Sequence, residues 1–196
     1  MIDRLIKRII AMQNPTCVGL DTSFDYLPDD MREDIATFEG GAEASSEFNM
    51  NIVDKISDIV PAIKVQVAYY EMYGYEGLKA FNYTINYAMG RGMIVIADCK
   101  RNDIGSTAGC YATAYLGGTK INENTLHAFP ADMLTVNGYL GTDGIKPFAD
   151  ECRASGKGAF VLVKTSNPSS GEIQDLELAI GIKVYEHMGD LVAEWG

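Results

Sequence analysis

The chain has 196 residues, 47% hydrophobic and 22% charged, which suits one soluble globular domain that buries a core without disulfides. Its formal net charge of −11 gives no general attraction to nucleic acid or to an anionic membrane, so any positive charge recruited for an anionic substrate has to be local. No apolar run is long enough to span a membrane, Met1 to Met12 has no signal-peptide core, and Cys17, Cys99, Cys110 and Cys152 form no Cys-x-x-Cys pair; the expectation is a cytoplasmic protein whose thiols are small buried hydrophobes.

Residues 3–12 read as a helix, with Ile2, Leu5, Ile6, Ile9 and Ile10 at helical spacing, Asp3 available as a cap and Asn14-Pro15 as the stop. Cys17-Val18-Gly19-Leu20 reads as a buried strand ending in Asp21. Residues 22–43, acidic and rich in Gly and Pro, read as loop, followed by a helix from Ser45 to Ile59 that buries Phe48, Ile52, Ile56 and Ile59. Ala62 to Val67 is the second strand, with Lys64 inside it, and a helix from Glu76 to Met89 leads to Gly90-Arg91-Gly92. Met93 to Ala97 is the clearest strand and runs into Asp98-Cys99-Lys100. A helix follows from Thr107 to Leu116, with Gly117-Gly118 as a turn, then a strand at Met133 to Val136, a helix at Lys146 to Ala154, a strand at Ala159 to Lys164, and a closing helix from Ile173 to Glu194.

Strands alternating with helices imply a parallel sheet, and near-continuous apolar strands imply that both faces are covered. No Gly-x-Gly-x-x-Gly follows the first strand, which weighs against a dinucleotide fold. The expected architecture is α/β, a (β/α)8 TIM-type barrel in a single domain over residues 1–196, with five βα units visible against eight in about 250 residues for a whole barrel.

Barrel enzymes place their chemistry at the C-terminal strand ends. Here Asp21 ends the first strand, Lys64 lies late in the second, Asp98 and Lys100 end the third, Asn137 ends the fourth, and Thr165-Ser166-Asn167 ends the fifth. Asp98 and Lys100 are two apart on a segment read as extended, so both side chains face the barrel axis, where Lys64 can complete a Lys-Asp-Lys arrangement. Such a group is costly to bury unless each charge is paired. Its bland reading is a salt bridge at the barrel rim, but structure alone has no need of three charges at one mouth. His127 and His187 lack a third ligand and are not read as metal sites.

Asp-x-Lys alone says little; Asp98-x-Lys100-x-x-Asp103-Ile104-Gly105-Ser106-Thr107 after a hydrophobic strand is specific. With Val18-Gly19-Leu20-Asp21, Ala62-Ile63-Lys64-Val65-Gln66, Thr135-Val136-Asn137-Gly138 and Val163-Lys164-Thr165-Ser166-Asn167-Pro168, it resembles the orotidine 5′-monophosphate decarboxylases, in their longer bacterial subgroup, in order along nearly the whole chain. The resemblance implies a cofactor-free decarboxylase forming uridine 5′-monophosphate in pyrimidine synthesis. It implies that Asp21 bonds a ribose hydroxyl, Lys64 contacts the ribose and Asp98, Asp98 faces the substrate carboxylate, Lys100 protonates C6, and Ser166 contacts the pyrimidine. It also implies a homodimer in which Asp103 and Thr107 reach into the partner's site.

The family's glycine-rich phosphate loop and phosphate-binding arginine have no counterpart here, and the expectation is a barrel incomplete at its C-terminal side. Three other readings stay open: an inactive fragment or nucleotide-binding scaffold, a magnesium-dependent phosphosugar decarboxylase with the same Asp-x-Lys-x-x-Asp, and, more remotely, a Schiff-base aldolase using Lys100.

Overall fold

The computed structural model describes all 196 residues. In chain order the elements are α1 (Ile2–Met12), β1 (Cys17–Leu20), α2 (Asp29–Arg32), α3 (Phe38–Ile56), β2 (Ala62–Gln66), α4 (Ala68–Glu71), α5 (Gly74–Gly90), β3 (Ile94–Arg101), α6 (Gly105–Tyr115), β4 (Thr119–Ile121), β5 (Asn124–Leu126), β6 (Met133–Asn137), α7 (Thr142–Ser155), β7 (Gly158–Leu162) and α8 (Val184–Trp195). Five strands form one parallel sheet in the order β1-β2-β3-β6-β7, the sequential order of a (β/α) barrel; β4 and β5 form a separate antiparallel hairpin.

The period-two alternation of each strand divides the sheet into two faces. Ile63, Val65, Val95, Ala97, Leu134 and Val136 point to the helix layer and join Phe81, Ile85, Ala88 and Phe148 in a core of 26 buried residues. The opposite face, the barrel interior, holds a cluster of only four, Ala62, Ile94, Ile96 and Met133, on which Met1 and, from α1, Leu5 pack. Arg4 reaches Asp132 at 2.7 Å and Arg8 donates to the Pro61 carbonyl at 3.1 Å, so α1 lies across the N-terminal ends of the strands. The small apolar cluster therefore sits at that end, and the opposite end is left to polar side chains.

Several elements differ from the sequence expectation. Asp3 does not cap α1, which starts after Met1, and Ile2, Ile6 and Ile10 are exposed. Helix α3 begins at Phe38, where the Thr37 hydroxyl accepts from Gly40 N at 3.1 Å. Its buried face is Ala42, Ser45, Ser46, Asn49 and Val53, while Phe48, Ile52 and Ile56 are half-buried and Ile59 is exposed. Small residues face inward because α3 lies close to its neighbours: a Cβ at Gly41 would stand 3.0 Å from the Tyr73 ring.

Helix α7 starts at Thr142 and carries Pro147 within it rather than at its head. Residues 173–183 are turns and bends with one isolated antiparallel bridge, Glu177 to Lys183, and Gly181 at φ 79°, and the last helix begins only at Val184. The β4–β5 hairpin was not anticipated, and its strand residues are all exposed. Of the thiols expected to be buried, Cys99 is, Cys152 is half-buried, and Cys17 and Cys110 are exposed. No helix is long and apolar enough to cross a membrane.

Candidate active site

The inward-facing positions of β2, β3 and β6 bring polar groups together around one carboxylate. Asp98 side-chain Oδ2 accepts from Lys64 Nζ at 2.8 Å and from Gln66 Nε2 at 3.0 Å. Its Oδ1 accepts from Lys100 Nζ at 2.7 Å and from the Thr135 hydroxyl at 2.8 Å. Lys64 also donates to Asp21 Oδ1 at 3.2 Å, which extends the chain of alternating charge to the end of β1. The Asp98 side chain is 7% exposed, whereas those of Lys64 and Lys100 are 32% and 46% exposed. A buried anion is thus flanked by two cations whose ammonium groups open toward the C-terminal end of the sheet.

Burial alone would raise the Asp98 pKa, but hydrogen bonds from Lys100, Lys64 and Thr135 outweigh it and hold the carboxyl below the usual carboxylate range. Burial likewise works against the charge of Lys64, yet its bonds to Asp98 and Asp21 hold it above the usual lysine range. Both shifts keep the pair ionised.

Lys100 itself does not lie on a regular strand. Its φ is 48°, in the left-handed region, and between Ala97 and Arg101 four steps along β3 are matched against two along β6. The expectation that Asp98 and Lys100 meet held, but the extended segment offered as its reason did not. A left-handed non-glycine residue costs about 1–2 kcal/mol, and such strain concentrates at functional sites.

The other sequence candidates stand apart. Asp103 Oδ1 accepts from Ile104 N at 2.8 Å beside the start of α6, Thr107 is exposed on that helix, and Ser166 is exposed beyond β7; none hydrogen-bonds with the cluster within the chain. Asn137 caps its own turn, accepting from Tyr139 N at 2.9 Å. A cavity of about 220 Å³ at the ends of β6 and β7 includes Asn137, Tyr139 and Thr165. A larger one of about 380 Å³ lies between α3 and α5, lined by Glu39, Glu43, Glu76 and Lys79, and is remote from Asp98. Its acidic lining does not suit an anionic substrate. Gln66 and Thr135 were not singled out from the sequence. Being uncharged, they gave only one signal: each keeps the inward alternation, Gln66 two residues after Lys64 and Thr135 two before Asn137.

A family model for orotidine 5′-phosphate decarboxylase / HUMPS matches residues 15–196. The chain belongs to that family. Among its curated relatives are the orotidine 5′-phosphate decarboxylases of Caldicellulosiruptor saccharolyticus, 38% identical over 99% of this chain, and of Rhodopirellula baltica, 40% identical over 97%. The chain spans 65% and 63% of their respective lengths. Among solved structures it is similar to the OMP decarboxylase of Leishmania donovani, with 29% identity, a TM-score of 0.74, and coverage of 96% of this chain and 63% of that one. The orotidine 5′-monophosphate decarboxylase of Plasmodium berghei, at 18% identity with a TM-score of 0.82, covers 98% of this chain and 70% of that one and shares the fold. These relatives are TIM barrels, and the five-stranded parallel sheet is a partial barrel of the orotidine 5′-phosphate decarboxylase / HUMPS family.

Proposed function

We propose that the protein converts orotidine 5′-monophosphate to uridine 5′-monophosphate and carbon dioxide without a cofactor. The observation that carries this reading is the unbroken chain Asp21–Lys64–Asp98–Lys100, anchored on a buried carboxylate and exposed at its lysines. In the proposed reaction the C6–carboxylate bond breaks and its electron pair stays on C6. The Lys100 ammonium then gives that carbon a proton, and carbon dioxide leaves as a neutral molecule. A fixed cation aimed at a developing carbanion in a water-poor site is strong transition-state stabilisation. Asp98, held ionised, would face the substrate carboxylate and lose that repulsion as carbon dioxide departs. Asp21 and Lys64 would hold the ribose, and Ser166 the pyrimidine ring.

Asp103 and Thr107 are assigned to a partner's site across a homodimer, a role supported by the exposure of Thr107, by the half-exposed position of Asp103, and by their lack of hydrogen bonds to their own cluster. Ultraviolet absorbance of orotidine 5′-monophosphate tests both parts. Decay is expected with the wild-type protein and a loss of at least about 1,000-fold with Lys100→Ala. Mixing inactive Lys100→Ala with inactive Asp103→Asn should restore part of the rate, because a mixed dimer holds one site with both groups intact. Equal decay in wild type and Lys100→Ala contradicts the proposed role of that lysine. Mixing that restores nothing contradicts the shared site.

A further inference from the structure

We propose that Thr135 is a positioning residue for Lys100, its hydroxyl gripping the lysine at both ends through Asp98. Resting on the decarboxylase reading above, this adds a residue to that site. One oxygen makes both bonds: Thr135 Oγ1 accepts from the Lys100 backbone N–H at 3.0 Å and donates its proton to Asp98 Oδ1 at 2.8 Å. That same Oδ1 accepts from Lys100 Nζ at 2.7 Å. The result is a closed ring that begins at the main chain of Lys100 and returns to its ammonium.

The ring sits where the ladder fails. Regular pairing between β3 and β6 ends at Ala97 and resumes at Arg101, so the Lys100 amide meets a side-chain oxygen in place of a β6 carbonyl. Lys100 is also left-handed, a backbone conformation that residues with a side chain seldom adopt. Thr135 is itself buried, 8% exposed, on an inward position of β6 in the five-stranded sheet. Valine would keep its shape and lose both bonds; serine would keep both bonds and lose a methyl group.

Steady-state kinetics of wild type, Thr135→Val and Thr135→Ser separate the hydroxyl from packing. The expected result is a fall in kcat on the order of 10- to 100-fold for Thr135→Val, with KM nearly unchanged and most of the rate kept by Thr135→Ser. Equal losses in both variants, or none in Thr135→Val, overturn the proposal. Backbone NMR reads the geometry without turnover: the Lys100 Cα and Cβ shifts should leave left-handed values in Thr135→Val and keep them in Thr135→Ser. Unmoved shifts in Thr135→Val also overturn it. A protein with no decarboxylation at all contradicts the underlying reading instead, and the NMR result still decides whether Thr135 sets the lysine.

Discussion

Both oxygens of Asp98 are fully engaged, Oδ2 by Lys64 and Gln66 and Oδ1 by Lys100 and Thr135, and this makes its charge a matter of stability as well as chemistry. Its folded pKa is depressed, so its contribution is complete above the ordinary carboxylate pKa of about 3.9 and is lost as pH falls toward the lower folded value. The raised pKa of Lys64 acts in the opposite direction: its contribution is complete below about 10.4 and is lost as pH rises through the folded value. Asp98→Asn should therefore cost about 2 kcal/mol at pH 7. The gap between the two urea midpoints should close below about pH 4; a gap independent of pH contradicts the linkage. At this scale the four charges were legible because each charged residue lies on, or directly after, an otherwise apolar strand. Gln66 and Thr135 were not, since an uncharged residue shows its partner only once neighbouring strands are aligned. The left-handed Lys100 was hidden for a different reason, because nothing in a lysine's identity signals that conformation.

A buried polar relay ties the end of β1 to the helix layer. The Thr22 hydroxyl donates to Asn49 Oδ1 at 2.6 Å, Asn49 Nδ2 donates to the Tyr70 phenol at 2.8 Å, and Tyr70 donates to Thr84 Oγ1 at 3.3 Å. Burial pushes the Tyr70 pKa up to about 12, so the phenol remains a donor. Asn49→Leu would leave Thr22 and Tyr70 without this partner inside the protein, at a cost of about 2–3 kcal/mol measured by urea denaturation. A cost under about 0.5 kcal/mol would show that the relay holds nothing. The same relay explains a misreading of the sequence. Helix α3 turns a polar and small-residue stripe inward, so its apolar periodicity pointed to the wrong face and its first turns looked like a glycine-rich loop. The segment 173–183 failed in the opposite sense: its apolar residues have helical spacing, but Gly181 adopts a positive φ, and Asp175 is held by Lys164 and Lys183. The β4–β5 hairpin gave no periodic signal, because fully exposed strands need no buried face.

Across the whole molecule, β3 lies at the centre of the sheet with Ile94, Val95 and Ala97 at 0% exposure, while β1 and β7 each have one unpaired edge. Amide hydrogen exchange should therefore be slowest in β2, β3 and β6 and fastest among the strands in β1 and β7. Uniform protection across all five strands would contradict this. The sheet order was legible from the alternation of strand and helix, because parallel strands need a crossover between neighbours. The place of α1 was not, since its anchors, Asp132 and the Pro61 carbonyl, are far along the chain.

The division of each strand into a helix-facing and an interior face has a consequence for how this scaffold can change. Val65, Ala97 and Val136 belong to the large core, while Lys64, Gln66, Asp98 and Thr135 occupy alternating places on the same strands and lie outside it. Substitution at the second set rewrites the interior's charge and leaves the apolar layer intact. A library restricted to those positions would sample new chemistry on an unchanged apolar frame, with any loss of stability confined to the polar network around Asp98.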